Sequence, residues 1–131
     1  MKLLDTDTCI GILKGIPSVV AAWRGCNERC ALPSMVIAEL FFGAAKSRNP
    51  SAEAERVNRF ADIYEELKPT RAMLRKFGEI KAELQKTGES LPDADLLIAA
   101  TALDAGVVLV TGNTKHFSRI PGLLLENWFE R

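Results

Sequence analysis

Cysteine, histidine and net charge are all scarce in this chain, and each scarcity removes a class of function. Only three cysteines occur, Cys9, Cys26 and Cys30, an odd count that excludes a fully paired disulfide framework. The single histidine, His116, lies far along the chain from Cys26-x-x-x-Cys30. Zinc usually takes four Cys/His ligands, so reduced thiols in or near a core are the expected state. Lys plus Arg and Asp plus Glu number 17 each, for a net charge of zero. With no bulk positive charge, any nucleic-acid binding must come from local basic patches or bound metal ions. No apolar run is long enough to span a bilayer, and Met1-Lys2-Leu3-Leu4-Asp5 lacks the layout of a signal peptide. A soluble, cytoplasmic protein without membrane partners is the expectation. At 131 residues and 47% apolar, one compact domain over 1–131 with its own core is expected.

What is present is an alternation of short apolar strands with helices. Strands are expected at 2–6, 29–32, 107–111 and 123–125. The run Val107-Val108-Leu109-Val110-Thr111 has the β-branched character of a strand buried on both faces. Helices are expected at 9–14, 17–24, 35–46, 52–67, 71–86 and 94–105. Asp7 or Thr8, Ser34 and Thr70 are the expected caps, with Gly15, Gly88 and Gly106 as stops. The helix over 35–46 is apolar on nearly every face, which places it inside the domain or against a partner. The helix over 52–67 carries Val57, Phe60, Ala61, Tyr64 and Leu67 at helical spacing, and that over 71–86 carries Leu74, Phe77, Ile80 and Leu84. Strands separated by helices imply an α/β fold, a central parallel sheet flanked by helices in three layers. Ligands of such sheets bind beyond the carboxyl ends of the strands.

Against this apolar background, three acids sit where a charge is costly. Asp5 ends Met1-Lys2-Leu3-Leu4, Glu39 interrupts the apolar run 35–42, and Asp95 opens Leu96-Leu97-Ile98-Ala99-Ala100. A carboxylate in apolar surroundings must be paired, protonated or metal-bound. Two unit charges about 4 Å apart repel by ~4 kcal/mol at an effective dielectric near 20. If the three acids meet, the site either protonates or recruits a cation, and hard oxygen donors select Mg²⁺ or Mn²⁺. Asn113 offers a further oxygen, and Thr6 and Thr111 could orient a carboxylate from behind. Lys115, His116 and Arg119 are candidate phosphate contacts. Taken singly, Asp5 reads as a strand-end turn residue, Asp7 and Asp93 as helix caps, Asp95 as helix-dipole decoration, and His116 as a surface histidine. The combination is more specific than any member.

Placed in order, these segments resemble a known family. Leu3-Leu4-Asp5-Thr6-Asp7, Glu39-Leu40 with Gly43, and Leu91-Pro92-Asp93-Ala94-Asp95-Leu96-Leu97-Ile98-Ala99-Ala100 resemble successive motifs of PIN-domain proteins. Leu109-Val110-Thr111-Gly112-Asn113-Thr114-Lys115-His116-Phe117, then Gly122-Leu123 and Glu126-Asn127-Trp128, complete the pattern. The resemblance is greatest to the VapC-type toxins of VapBC toxin–antitoxin pairs. It implies a Mg²⁺- or Mn²⁺-dependent endoribonuclease whose metal-site acids are Asp5, Glu39 and Asp95, with Asn113 where many members place a fourth acid. It also implies in-line attack by metal-activated water, a homodimer, and inhibition by a VapB-like antitoxin. Gly112 departs from the pattern, standing where VapC proteins often have Arg.

Two other readings remain open at this point. Asp5-Thr6-Asp7-Thr8 also resembles the Asp-x-Asp-x-Thr opening of haloacid-dehalogenase-like phosphohydrolases, in which Asp5 would be the nucleophile. Their later motif order is missing. A non-catalytic interaction module on the same fold is the other.

Overall fold

The strand at the centre of the sheet is the first element in the sequence. In a computed structural model, which describes residues 1–130, β1 (Lys2–Leu4) is flanked on both sides, and Leu3 and Leu4 are fully buried. It pairs in parallel with β2 (Cys30–Pro33) on one side and β4 (Val108–Val110) on the other. β3 (Glu65–Leu67) extends the sheet beyond β2, and β5 (Leu125–Glu126) extends it beyond β4. The order is therefore β3-β2-β1-β4-β5, all parallel. Consecutive winding runs outward from β1 to β3, then crosses back to β4. A parallel sheet opens a crevice at such a reversal, beyond the carboxyl ends of the two central strands.

Helices complete the three-layer α/β fold. They are α1 (Thr6–Lys14), α2 (Pro17–Gly25), α3 (Ser34–Ala45), α4 (Pro50–Ala61), α5 (Arg71–Lys86), α6 (Asp93–Ala105) and the short α7 (Thr114–Phe117). α6 is buried on most sides through Leu96, Ile98, Ala99, Ala100 and Ala102. Small residues there allow close packing against the sheet and α5. It stops at Gly106, whose φ of 68° is a left-handed cap that costs glycine no Cβ strain. Among the described residues, no helix is long and apolar enough to cross a membrane.

Four expectations are corrected. The helix expected over 52–67 ends at Ala61, and Glu65–Leu67 is the edge strand β3. Strong helix formers there yield to pairing with Ala31, Leu32 and Pro33. The exposed Glu65 and Glu66 put charge on an edge that would otherwise invite association. Ser34 does not cap α3 but is its first residue, its hydroxyl donating to Glu66 Oε2 at 2.6 Å. Leu74 is 52% exposed, and Met73 is buried in its place. The series Met73, Phe77, Ile80, Leu84 keeps the 3.6-residue period better than one starting at Leu74. Finally, α1 begins at Thr6 rather than residue 9, because Asp5 itself is the N-cap. The mostly apolar α3 buries only Val36, Leu40 and Ala44, and leaves Phe42 66% exposed.

Candidate active site

Asp5 stands at the sheet's reversal point, one residue beyond β1. Strand pairing continues through it, since its N–H donates to Val110 O at 2.9 Å. Its side chain is 6% exposed. Oδ1 accepts from the Thr6 N–H at 2.8 Å, and Oδ2 accepts from the Thr111 hydroxyl at 2.7 Å. These bonds and the positive end of α1 favour the ionised form. Burial opposes it more strongly, and the nearby Asp7 and Asp95 charges add to that opposition. The net effect pushes the Asp5 carboxyl from 3.8 up to about 7.

The other acids gather around it by different routes. Glu39, half-buried in the second turn of α3, accepts from the Thr6 hydroxyl at 2.5 Å. Thr6 therefore holds Asp5 by its N–H and Glu39 by its hydroxyl. Asp95 lies in the first turn of α6, and its Oδ2 is 3.0 Å from His116 Nε2 on α7. Asp7, expected only as a cap, is drawn beneath the loop that follows β4. It accepts from the Gly112 N–H at 2.9 Å and sits 3.5 Å from the Thr111 hydroxyl. Burial raises its pKa as well. Among the described residues, no lysine or arginine forms an ion pair with any of these four acids.

The loop carrying Thr111, Gly112 and Asn113 is shaped by close approach. A Cβ on Gly112 would lie 2.7 Å from the Phe129 ring and 2.9 Å from Asp7 Oδ2. A side chain at this position would have to displace the Phe129 ring or the Asp7 carboxylate. Asn113 is exposed, and its backbone N–H donates to Thr111 Oγ1 at 3.0 Å. Lys115 is exposed on α7. Arg119 is not brought to the acids, for its Nε lies 4.0 Å from Glu89 Oε2. His116 is the candidate phosphate contact that the fold places against a site acid.

The donor set suits a hard divalent cation. Its members are carboxylate and amide oxygens, and burial, with the neighbouring acids, raises the Asp5 carboxyl above its ordinary range. As the side chains stand, no group of three His, Cys, Asp or Glu among the described residues is arranged to hold a metal ion.

A PIN-domain profile matches residues 2–123. The chain belongs to the PIN-domain family. This PIN domain is 35% identical over 127 residues to the tRNA(fMet)-specific endonuclease VapC of Salmonella typhimurium, covering 96% of each chain. It is 33% identical over 129 residues to Ribonuclease VapC2 of Rickettsia felis, again covering 96% of each. Among solved structures, it superposes on DNA-bound VapBC from Salmonella typhimurium with a TM-score of 0.90, at 34% identity and 97% coverage of each chain. It superposes on VapBC2 from Rickettsia felis, bound to a promoter DNA fragment, with a TM-score of 0.89 at 32% identity, covering 97% of this chain and 98% of that one. The family match leaves the haloacid-dehalogenase reading of Asp5 without support, as does the engagement of both Asp5 oxygens in a buried position.

Proposed function

We propose that this PIN domain is the endoribonuclease toxin of a VapBC-type pair, cutting RNA phosphodiesters with the help of Mg²⁺ or Mn²⁺. The observation that carries the proposal is Asp5: a buried carboxyl, surrounded by acids and by no basic partner, at the crevice of a parallel sheet. Asp5, Glu39 and Asp95 would hold the cation, with Asn113 adding a neutral oxygen. When bound, the ion supplies positive charge at the scissile phosphate and lowers the pKa of the attacking water.

The chain's own residues prepare that arrangement. Thr6 bridges Asp5 to Glu39, so the two acids move as one unit. Thr111 fixes the second Asp5 oxygen. Such bonds hold carboxylates in place before the substrate arrives, the usual basis of electrostatic preorganisation. The His116 imidazole, beside Asp95 at the rim, and the exposed Lys115 would contact RNA phosphates. No protein nucleophile is needed.

An antitoxin segment would cover the apolar surface beside the acids. A groove of about 270 Å³ between α1, α3 and α4 is lined by Leu13, Leu40 and Val57 together with Glu39. The exposed Ile10 lies along the same groove, and Phe42 projects from α3. Exposed apolar surface of this kind marks a partner site. A second copy of the chain would cover a separate apolar opening, lined by Met35, Leu74, Phe77 and Leu97.

The test is cleavage by purified, antitoxin-free protein. Initiator tRNA is the first substrate to try, because the relatives from Salmonella typhimurium and Shigella flexneri carry that specificity in their names. Cleavage with Mg²⁺ should disappear with chelator and fall at least ~100-fold in Asp5→Asn and Asp95→Asn, a loss of about 2.7 kcal/mol of transition-state stabilisation. Identical, metal-independent traces from all of these would leave a non-catalytic interaction module instead.

A further inference from the structure

At the opposite, amino-terminal edge of the sheet, two thiols meet. α2 ends at Gly25, and Cys26 caps it, its N–H donating to Trp23 O at 3.2 Å. The chain bends at Glu28 and enters β2 at Cys30. Cys26 Sγ lies 3.6 Å and Cys30 Sγ 3.9 Å from the same Glu28 carbonyl oxygen. Both sulfurs therefore face one backbone oxygen. Both are free and half-buried.

The backbone around them is fixed from several directions. The Lys2 N–H donates to Arg29 O at 2.9 Å, and Lys2 is in register with Cys30. The Glu28 carboxylate is held by the Met1 ammonium at 3.1 Å and by Lys2 Nζ at 3.6 Å. The sulfurs are thus kept as neighbours by the fold, not by chance encounter of a loose loop. The Lys2 ammonium nearby partly offsets the effect of burial on the Cys30 thiol. Burial and the neighbouring Cys26 push the Cys30 thiol up to about 11, which disfavours it as the first attacking sulfur. The third thiol, Cys9, is fully buried, and burial pushes it well above its ordinary value.

We propose that Cys26 and Cys30 are a modification site, a dithiol that closes reversibly into an intramolecular disulfide at the expense of a low-molecular-weight disulfide. In the first step the Cys26 thiolate attacks one sulfur of the oxidant RSSR. The new bond joins Cys26 Sγ to that sulfur, the oxidant's own S–S bond breaks, and one RS⁻ leaves and takes up a proton. Cys30 then loses its proton to solvent and attacks Cys26 Sγ, expelling the second RS⁻. Two protein thiols are oxidised, and one RSSR is reduced to two RSH.

The experiment equilibrates the full-length protein in glutathione buffers of increasing oxidised-to-reduced ratio, quenches in acid, and maps thiols by alkylation and peptide mass. The expected result is loss of two of three alkylatable thiols and a peptide pair joined through Cys26 and Cys30. Half-oxidation should need a ratio at least about ten-fold lower for the folded chain than for the same chain in urea. Cys9→Ser should leave the bridge intact, whereas Cys26→Ser and Cys30→Ser should stop at a single glutathione adduct. The proposal is overturned if folded and urea-treated chains oxidise alike, if the bridge recruits Cys9 or a second chain, or if both thiols persist across the series.

Discussion

The Thr111 hydroxyl donates to Asp5 Oδ2 at 2.7 Å, across 106 residues of sequence. That one bond joins the carboxyl ends of the two central strands where the winding of the sheet reverses. Thr111 Oγ1 also accepts the Asn113 N–H at 3.0 Å and lies 3.5 Å from Asp7 Oδ1. A single hydroxyl therefore organises a buried acid, a second acid and the start of the loop toward α7.

Asp5 makes metal-free stability depend on pH. Its folded pKa, about 7, lies above the ordinary 3.8, so the folded chain keeps a proton that the unfolded chain has released. The associated stability is complete below pH 4 and is lost as pH rises through 7. In chelator, Asp5→Asn should be more stable than the parent by roughly 4 kcal/mol above pH 8, with the gap closing toward pH 4. Denaturant titrations at both ends of that range measure it, and a gap independent of pH would contradict the assignment.

Thr111→Val keeps the shape of the side chain and removes the donor. Asp5 loses a bond that favours its ionised form, so its titration should move further up. The Asn113 N–H loses its acceptor too, and stability should fall by about 1–3 kcal/mol. Carboxyl NMR titration and urea melts report the two effects separately.

Asp7 is a positioning residue beneath the Thr111-Gly112 loop. Asp7→Asn retains an acceptor for the Gly112 N–H, and cleavage should stay within about ten-fold of the parent. Asp7→Ala strands that donor at a cost of about 1–3 kcal/mol. Equal effects of the two substitutions on melting would remove this role.

Gly112→Ala should destabilise by about 1–3 kcal/mol, because the added methyl runs into the Phe129 ring and Asp7. Phe129→Ala clears part of that space. The double variant should therefore be more stable than the sum of the two single losses, a coupling that a double-mutant cycle reads directly.

Mg²⁺ at 100 times its dissociation constant should stabilise the parent by about 2.7 kcal/mol. Asp5→Asn and Asp95→Asn should each lose most of that gain in thermal melts, even where cleavage cannot be measured.

Much of this was legible from residue patterns, for reasons that differ by element. β1 and β4 are read easily because a strand buried on both faces must be apolar throughout. Asp95 is read from its place just inside a long apolar helix. β3 is not readable: Glu65-Glu66-Leu67 has helical preference, and only pairing with β2 makes it a strand. Arg119 shares the charge and neighbourhood of Lys115, yet its side chain turns to Glu89. Asp7 was hidden because a carboxylate near a helix start already has a sufficient local explanation. The Asp-x-Asp spacing at a strand end was its only sequence signal.

The position of β1 has a consequence for synthesis. Lys2–Leu4 is made long before one of its two neighbours in the sheet, Val108–Val110. Contacts that distant in sequence form slowly. Until they form, Asp5 lacks the Thr111 hydroxyl, and Asp95 lacks the imidazole of His116. A nascent chain is thereby kept from assembling the acidic crevice until Thr111 and His116 have been made.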